Sequence, residues 1–317
     1  LDSFSDEEIA EIDKLVEELG IRKRNQTAYD DLIEFCKRMQ DDYIVGRHHR
    51  VLADLLMAIE AGDEDRICVN IPPRHGKSQL VSIFFPAWFL GRNPNKKVMM
   101  VSHTTDLAVD FGRKVRNLIS LDDFKDIFPT VKLAVDSKSA GRWNTNFGGE
   151  YYACGVGSAL AGRGADLLLI DDPHSEQDVI NGNFSVFAKA YEWYTFGART
   201  RLMPGGRVAI IQTRWHMDDL TGRVTSDMVK NENSDQFEIV EFPAILESED
   251  AEGKPIQKPL WPEFFNLEAL LRTKASMPAF QWNSQYQQTP TAEEASIVKR
   301  EWWRIWADDD PPDCEYI

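Results

Sequence analysis

The 317-residue sequence has no apolar run long enough to cross a bilayer. Its longest, Leu80 to Leu90, is interrupted by Pro86 and falls well short of the roughly 20 residues a spanning helix needs. A membrane-spanning helix is therefore excluded, and no signal-peptide pattern is present. Cysteine is scarce. The four cysteines, Cys36, Cys68, Cys154 and Cys314, show no metal-ligand spacing, and Cys68 sits inside a core strand pattern, so they read as reduced thiols of a cytosolic protein. Basic residues are outnumbered, 36 Lys and Arg against 52 Asp and Glu, for a net charge of −16. That balance excludes a surface wholly wrapped around nucleic acid, and any contact with DNA must use a local basic patch. The remaining composition, 43% hydrophobic and 28% charged, is that of a globular protein, long enough for a large α/β domain with a smaller appendage.

Apolar periodicity places helices over Ser5 to Leu19, capped by Ser5 and ended at Gly20, then over Thr27 to Gln40 and His48 to Ile59. Short apolar runs at Ile67 to Ile71, Lys97 to Val101, Tyr151 to Cys154, Asp166 to Ile170 and Arg207 to Gln212 read as strands. Helices are expected over Thr104 to Ile119, Phe184 to Arg201 and Asp218 to Val229. This alternation predicts a mostly parallel sheet covered on both faces. The expected organisation is a helical N-terminal segment (1–46), an α/β core (47–241), a small lid subdomain (242–292) and a linker (293–317). Trp302, Trp303 and Trp306 are read as packing of a linker helix.

Pro72-Pro73-Arg74-His75-Gly76-Lys77-Ser78, directly after the first apolar strand, has the form of a phosphate-binding loop emptying into a helix. Backbone N–H groups at a helix start cradle phosphates, Lys77 reaches the β and γ oxygens, and the Ser78 hydroxyl suits Mg²⁺. Pro73 through Gln79 are thus the candidate nucleotide-binding residues. The usual first glycine is missing, since Ile71 holds its place, and Arg74 stands inside the loop.

A second strand, Leu167 to Ile170, ends in Asp171 and Asp172. Asp171 is the candidate Mg²⁺ ligand opposite Ser78, and Asp172 the group that orients or deprotonates an attacking water. Asp172 is one methylene shorter than the glutamate common at this place, so Glu176 or Asp178 could substitute. A third strand ends in Gln212-Thr213-Arg214. In P-loop ATPases whose catalytic acid follows the metal-binding Asp, that strand lies between the other two. Gln212 or Thr213 could therefore touch the γ-phosphate or its water.

Phosphoryl transfer gains from positive charge at the γ-phosphate, which makes arginines candidates. Arg163, in a glycine-rich segment, suits a reach to a neighbouring subunit, and Arg214 is a rival. His49 or Arg50 could stack on or hydrogen-bond the adenine. Arg113, Arg116, Lys96 and Lys97 could meet DNA phosphates, although a solvated helix face is the default reading.

Together, PPRHGKS, FPAWFLGRNP, GVGSALAGRGADLLLIDDP, IIQTRWHMDDLTGR and LWPE resemble the large terminase subunit of tailed bacteriophages, over Arg47 to about Arg300. The resemblance implies a P-loop NTPase core of the ASCE, RecA-like kind. It further implies an ATP- and Mg²⁺-dependent motor working in the host cytoplasm during virion assembly. Such a motor docks as a pentameric ring on the portal of a procapsid, works with a small terminase subunit and pumps double-stranded DNA, with no membrane role. It also makes Arg74 the counterpart of the family's cis-acting arginine. Family members continue into an RNase H-like nuclease, so the chain is expected to be an ATPase portion without nuclease activity. A helicase-like DNA translocase and a non-hydrolysing, nucleotide-gated portal-binding module are the alternatives.

Overall fold

A computed structural model of the protein describes residues 5–137, 139–180, 184–249 and 253–291. The tryptophans at 302, 303 and 306 and the linker 293–317 lie outside the described residues.

The chain begins with α1 (Asp6–Asp30), capped by Ser5 and Glu8 in a reciprocal capping box. It runs through Gly20, where the sequence predicted its end. A lone helical glycine costs only about 1 kcal/mol relative to Ala, and Gly20 does not adopt the left-handed conformation that ends helices. The break falls instead at Asp31, extended in backbone, whose carboxylate accepts the Glu34 N–H at 2.8 Å and caps α2 (Leu32–Met39). The predicted helix from Thr27 is thus two. Then follows α3 (Arg47–Ala61), with Leu52, Ala53, Leu56 and Ile59 buried.

Nine strands make two sheets among the described residues. The larger contains β1 (Arg66–Asn70), β2 (Lys97–Ser102), β3 (Arg142–Asn144), β4 (Glu150–Gly155), β5 (Ala165–Asp171), β6 (Leu202–Gln212) and β7 (Glu238–Glu241), in the order β3-β4-β2-β5-β6-β1-β7. All neighbours pair in parallel except β3, antiparallel at one edge. The arrangement bears out the expected α/β core, and β6 does lie between β5 and β1. The short edge strands β3 and β7 were not legible. Each is four residues or fewer and largely polar, too brief for a periodic signal.

Side-chain alternation sends Leu167, Leu169, Ala209 and Ile211 to one face, against α2, α3 and the helix after the P-loop. Leu168, Ile170, Val208 and Ile210 go to the other, against Tyr194, Ala198, Leu220 and Val224. The P-loop helix continues unbroken from Lys77–Gln79 through a π-helical turn at Leu80–Phe84 into Phe85–Arg92. Pro86 cannot donate to the carbonyl one turn before it. A wider turn just upstream lets the helix accommodate the ring rather than stop.

After β7, β8 (Ile245–Glu249) and β9 (Pro255–Pro259) form a separate antiparallel pair. With the helix Leu267–Ala275 they enclose a small cluster of Ala244, Ile245, Leu270 and Trp282.

Leu169→Ala, in the centre of β5, is expected to cost about 2–5 kcal/mol by lost packing. Val16→Ala, on the outer face of α1 where Val16 is 62% exposed, should stay within about 0.5 kcal/mol of wild type. Urea denaturation of both variants measures this, and equal midpoints would contradict the assigned core.

Candidate nucleotide site

The carboxyl ends of the parallel strands share one edge, where β1 gives Ile71 to Gly76, β5 gives Asp171 and Asp172, and β6 gives Gln212 and Thr213. Ile71 continues the strand. Its N–H donates to the Gln212 carbonyl at 3.0 Å, and its carbonyl accepts the Thr213 hydroxyl at 3.1 Å. No left-handed turn is needed where the usual first glycine would stand. The loop makes its turns later, at Arg74 (φ 63°) and Gly76 (φ 79°). A non-glycine residue at positive φ is strained, and such strain collects at functional loops.

The loop is held from below by α3. The Gly46 N–H donates to His49 Nδ1 at 2.9 Å, which leaves the imidazole proton on Nε2, and Nε2 donates to the His75 carbonyl at 3.0 Å. His48 Nε2 donates to the same carbonyl at 3.0 Å, and His75 Nδ1 donates to the Pro73 carbonyl at 2.8 Å. The carbonyl and N–H of a trans peptide point oppositely, so pinning the His75 carbonyl toward α3 turns the Gly76 N–H away from it. A Cβ at Gly76 would stand 2.2 Å from His49 Nε2, so only glycine fits over the ring. Burial pushes His49 down to about 3 and His75 down to about 4, and also lowers His48; the rings are neutral near pH 7. His49, fully buried, is therefore a support of the loop and not a surface for a base. Nor does Arg50 face the loop; it pairs with Glu34 and Asp31 on neighbouring helices.

Lys77, at the helix start, is buried and lies 2.9 Å from Asp172 Oδ2. Burial opposes its charge, but Asp172 and then Asp171 outweigh that and hold its pKa above the ordinary lysine value. Asp172 has φ 43°, and its Oδ1 accepts the Thr213 N–H at 2.8 Å. Asp171 is fully buried, and Oδ2 accepts the Ser82 hydroxyl at 2.6 Å. Its Oδ1 has no hydrogen-bond partner among the described residues. Burial, and next the charge of Asp172, raise its pKa above the usual carboxylate range. The Ser78 side chain, close to the same carboxylate, works against that rise by favouring the ionised form. An orphaned buried oxygen beside the Ser78 hydroxyl is the donor set a hard divalent cation takes, so Ser78 and Asp171 fit Mg²⁺. Ser82 was missed from sequence; its signal was the four-residue spacing from Ser78, which puts both hydroxyls on one helix face.

Other predicted residues are placed elsewhere. Gln212 points to the opposite face of the sheet, where its amide donates to Thr221 Oγ1 at 2.7 Å, so Thr213 and not Gln212 reaches Asp172. Arg214 is buried, 2.9 Å from Asp219 and 3.2 Å from Glu241, and its guanidinium is committed within its own chain. Arg163 stacks over Tyr152 and lies 3.3 Å from Glu150 at the start of β4, the sheet end opposite the loop. The Gln79 amide donates to Gln40 at 2.6 Å. Asp178 accepts the Ser175 N–H at 2.9 Å, and Glu176 is exposed, which leaves Asp172 as the acid beside Lys77. Of the cations suggested for DNA, Arg113 pairs with Asp110, and Lys96 lies 2.9 Å from Asp166. A cavity of about 530 Å³ is lined by Pro73, Arg74 and Gly76 to Gln79 of the loop together with Trp261 and Phe264.

The family model described as terminase large subunit, T4likevirus-type, N-terminal, matches residues 68–304. This chain belongs to the large terminase family. No curated protein is similar to it in sequence. Among solved structures, the HK97 bacteriophage large terminase is similar over 78% of this chain and 51% of its own, at 14% identity and TM-score 0.50, a likeness of fold. The ATPase domain of the Thermus phage P74-26 large terminase matches over 74% of this chain and 92% of its own, at 17% identity and TM-score 0.46. The large terminase of the thermophilic bacteriophage D6E, solved with ATP-gamma-S, matches over 77% and 52%, at 10% identity and TM-score 0.42. The chain spans about half the length of the HK97 protein.

Unfolding returns His49 to a pKa near 6.5, so the unfolded terminase chain binds more protons below that pH, and stability present above 6.5 is lost as pH falls toward 3. His49→Gln keeps a donor near the Nε2 position but does not titrate. The wild type should therefore lose more stability than this variant between pH 7 and pH 4.5. Urea midpoints at both pH values test it, and parallel losses would contradict a neutral, buried His49.

Proposed function

We propose that this chain hydrolyses ATP to drive double-stranded DNA through the portal into a procapsid, as the ATPase part of a viral packaging motor. The observation that carries the reading is the contact of Lys77 with Asp172 beside the orphaned oxygen of Asp171. A buried ammonium and a strained acid at a phosphate loop are a triphosphate site at rest. Ser78 and Asp171 would hold Mg²⁺, which neutralises charge on the β and γ phosphates when bound.

ATP phosphates arriving at Lys77 compete with Asp172 for the ammonium. Released from Lys77, Asp172 keeps its Thr213 N–H bond and orients a water at the γ-phosphorus. The water oxygen bonds phosphorus, the bond to the β–γ bridging oxygen breaks, Asp172 takes up the water proton, and ADP and phosphate form. Arg74, exposed in the loop, offsets the developing charge in cis. Arg163 is the candidate in trans. It is 27% exposed and flanked by Gly162 and Gly164, and Glu150, if left by it, keeps Arg142 as a partner at 2.8 Å. The ring this requires would sit on the portal, supplied with DNA by the small terminase subunit, in the host cytoplasm.

Phosphate release in the presence of DNA and portal-bearing procapsids tests the chemistry. Lys77→Ala should abolish turnover, and Asp172→Asn should lower it about 10²-fold or more. Equal rates for wild type and Asp172→Asn would remove Asp172 from the mechanism. No turnover in any of them would favour a nucleotide-gated portal-binding module. Transport is read separately, as ATP-dependent protection of DNA from added nuclease.

Arg163→Ala is expected to leave nucleotide affinity unchanged and to lower turnover only in the assembled ring. An equal loss in dilute, unassembled chain would exclude a trans role.

A further inference from the structure

We infer that Phe264, backed by Trp261, is the platform on which the purine ring of the nucleotide stacks. The inference rests on the nucleotide reading of the P-loop and adds to it the part of the ligand that the phosphates do not specify. The phosphate loop and the Trp261–Phe264 pair line the same 530 Å³ cavity. Their rings are stacked, with centroids 4.5 Å apart and planes within 19°. Trp261 is buried, wedged edge-on against His49 at 4.7 Å, so it cannot move without the loop's own support. Phe264 carries the stack outward and remains 54% exposed.

A loop that bound only phosphate would have no use for a flat apolar wall in its cavity. A ligand with a phosphate chain at one end and a planar heterocycle at the other uses both, because a π face accepts any base in offset stacking. Neither residue expected to meet the base can do so, since His49 is buried under Gly76 and Arg50 is paired with Glu34 of a different helix. Phe265, next in sequence, stacks on His75 with centroids 4.9 Å apart, which fixes this stretch of chain over the loop.

The test compares ligands with and without a base. Binding of Mg²⁺–ADP and of Mg²⁺–tripolyphosphate to the full chain is measured by calorimetry for wild type, Phe264→Leu and Phe264→Tyr. The expected result is that Phe264→Leu weakens ADP about tenfold or more, in the range of single base–aromatic stacks. Tripolyphosphate should stay within about twofold, and Phe264→Tyr should restore ADP binding. Unchanged ADP affinity in Phe264→Leu would overturn the proposal, leaving Phe264 as a surface for another protein. An equal loss for both ligands would overturn it too, since the residue would then act through the loop. A wild type that binds neither ligand would instead bring down the phosphate-loop reading, and a wild type that binds tripolyphosphate as tightly as ADP would remove the base subsite alone.

Discussion

The site depends on one buried charge. Lys77 is almost wholly removed from water, and an unpaired ammonium there would cost several kcal/mol. It is kept ionised by two adjacent carboxylates whose own burial is made tolerable by it, by the Ser82 hydroxyl and by the Thr213 N–H. Neither side is satisfied alone. Asp171 keeps one oxygen without a partner, and Asp172 sits at positive φ to reach its contacts. The cluster is thus a balanced but incomplete set, with one buried carboxylate oxygen still without a partner among the described residues. The three converging strands must hold their register for this to work, because a one-residue slip of β5 would send Asp171 to the other face.

Behind the sheet lies a second polar assembly that does not touch the loop. The Gln212 amide donates to Thr221, Thr221 to Asn70 at 2.8 Å, and Asn70 to Glu241 at 3.2 Å, where Arg214 also binds on its way to Asp219. It ties β6, β1, β7 and the helix Leu220–Lys230 into one unit. Such networks are costly when half satisfied, and Gln212 Oε1 has no partner among the described residues. Side-chain alternation separates the two residues at this strand end: the Gln212 amide goes back into this network, while the Thr213 hydroxyl turns to the Ile71 carbonyl and its backbone N–H is left to bind Asp172.

Much of this was legible because it is local. The P-loop, the Asp171-Asp172 strand end and the place of β6 each follow from an apolar strand followed by groups of defined chemistry. The parallel order then follows from the alternation of strands and helices. What could not be read were consequences of side-chain direction and of distant contacts. His48 and His49 offered donors at a helix start, yet only the fold shows both aimed at the His75 carbonyl. Arg214 looked like a free cation near the site until Asp219 and Glu241 were found around it. Gly20 looked like a helix end because the residue type that stops helices is also tolerated within them.

The segment after β7 is bound to the site at two points, and that fixes what it can report. At the front, Trp261 packs on His49 and Phe265 on His75, beneath and beside the phosphate loop. At the back, Gln288, fully buried and at φ 59°, accepts the Arg214 N–H at 3.0 Å through its side-chain carbonyl. Arg214 directly follows Thr213, which holds Asp172. Asp172 is therefore two residues of backbone away from Gln288, while the loop's support His49 is one ring contact away from Trp261. The same small subassembly is mechanically joined to the supports of the loop and to the backbone that holds Asp172.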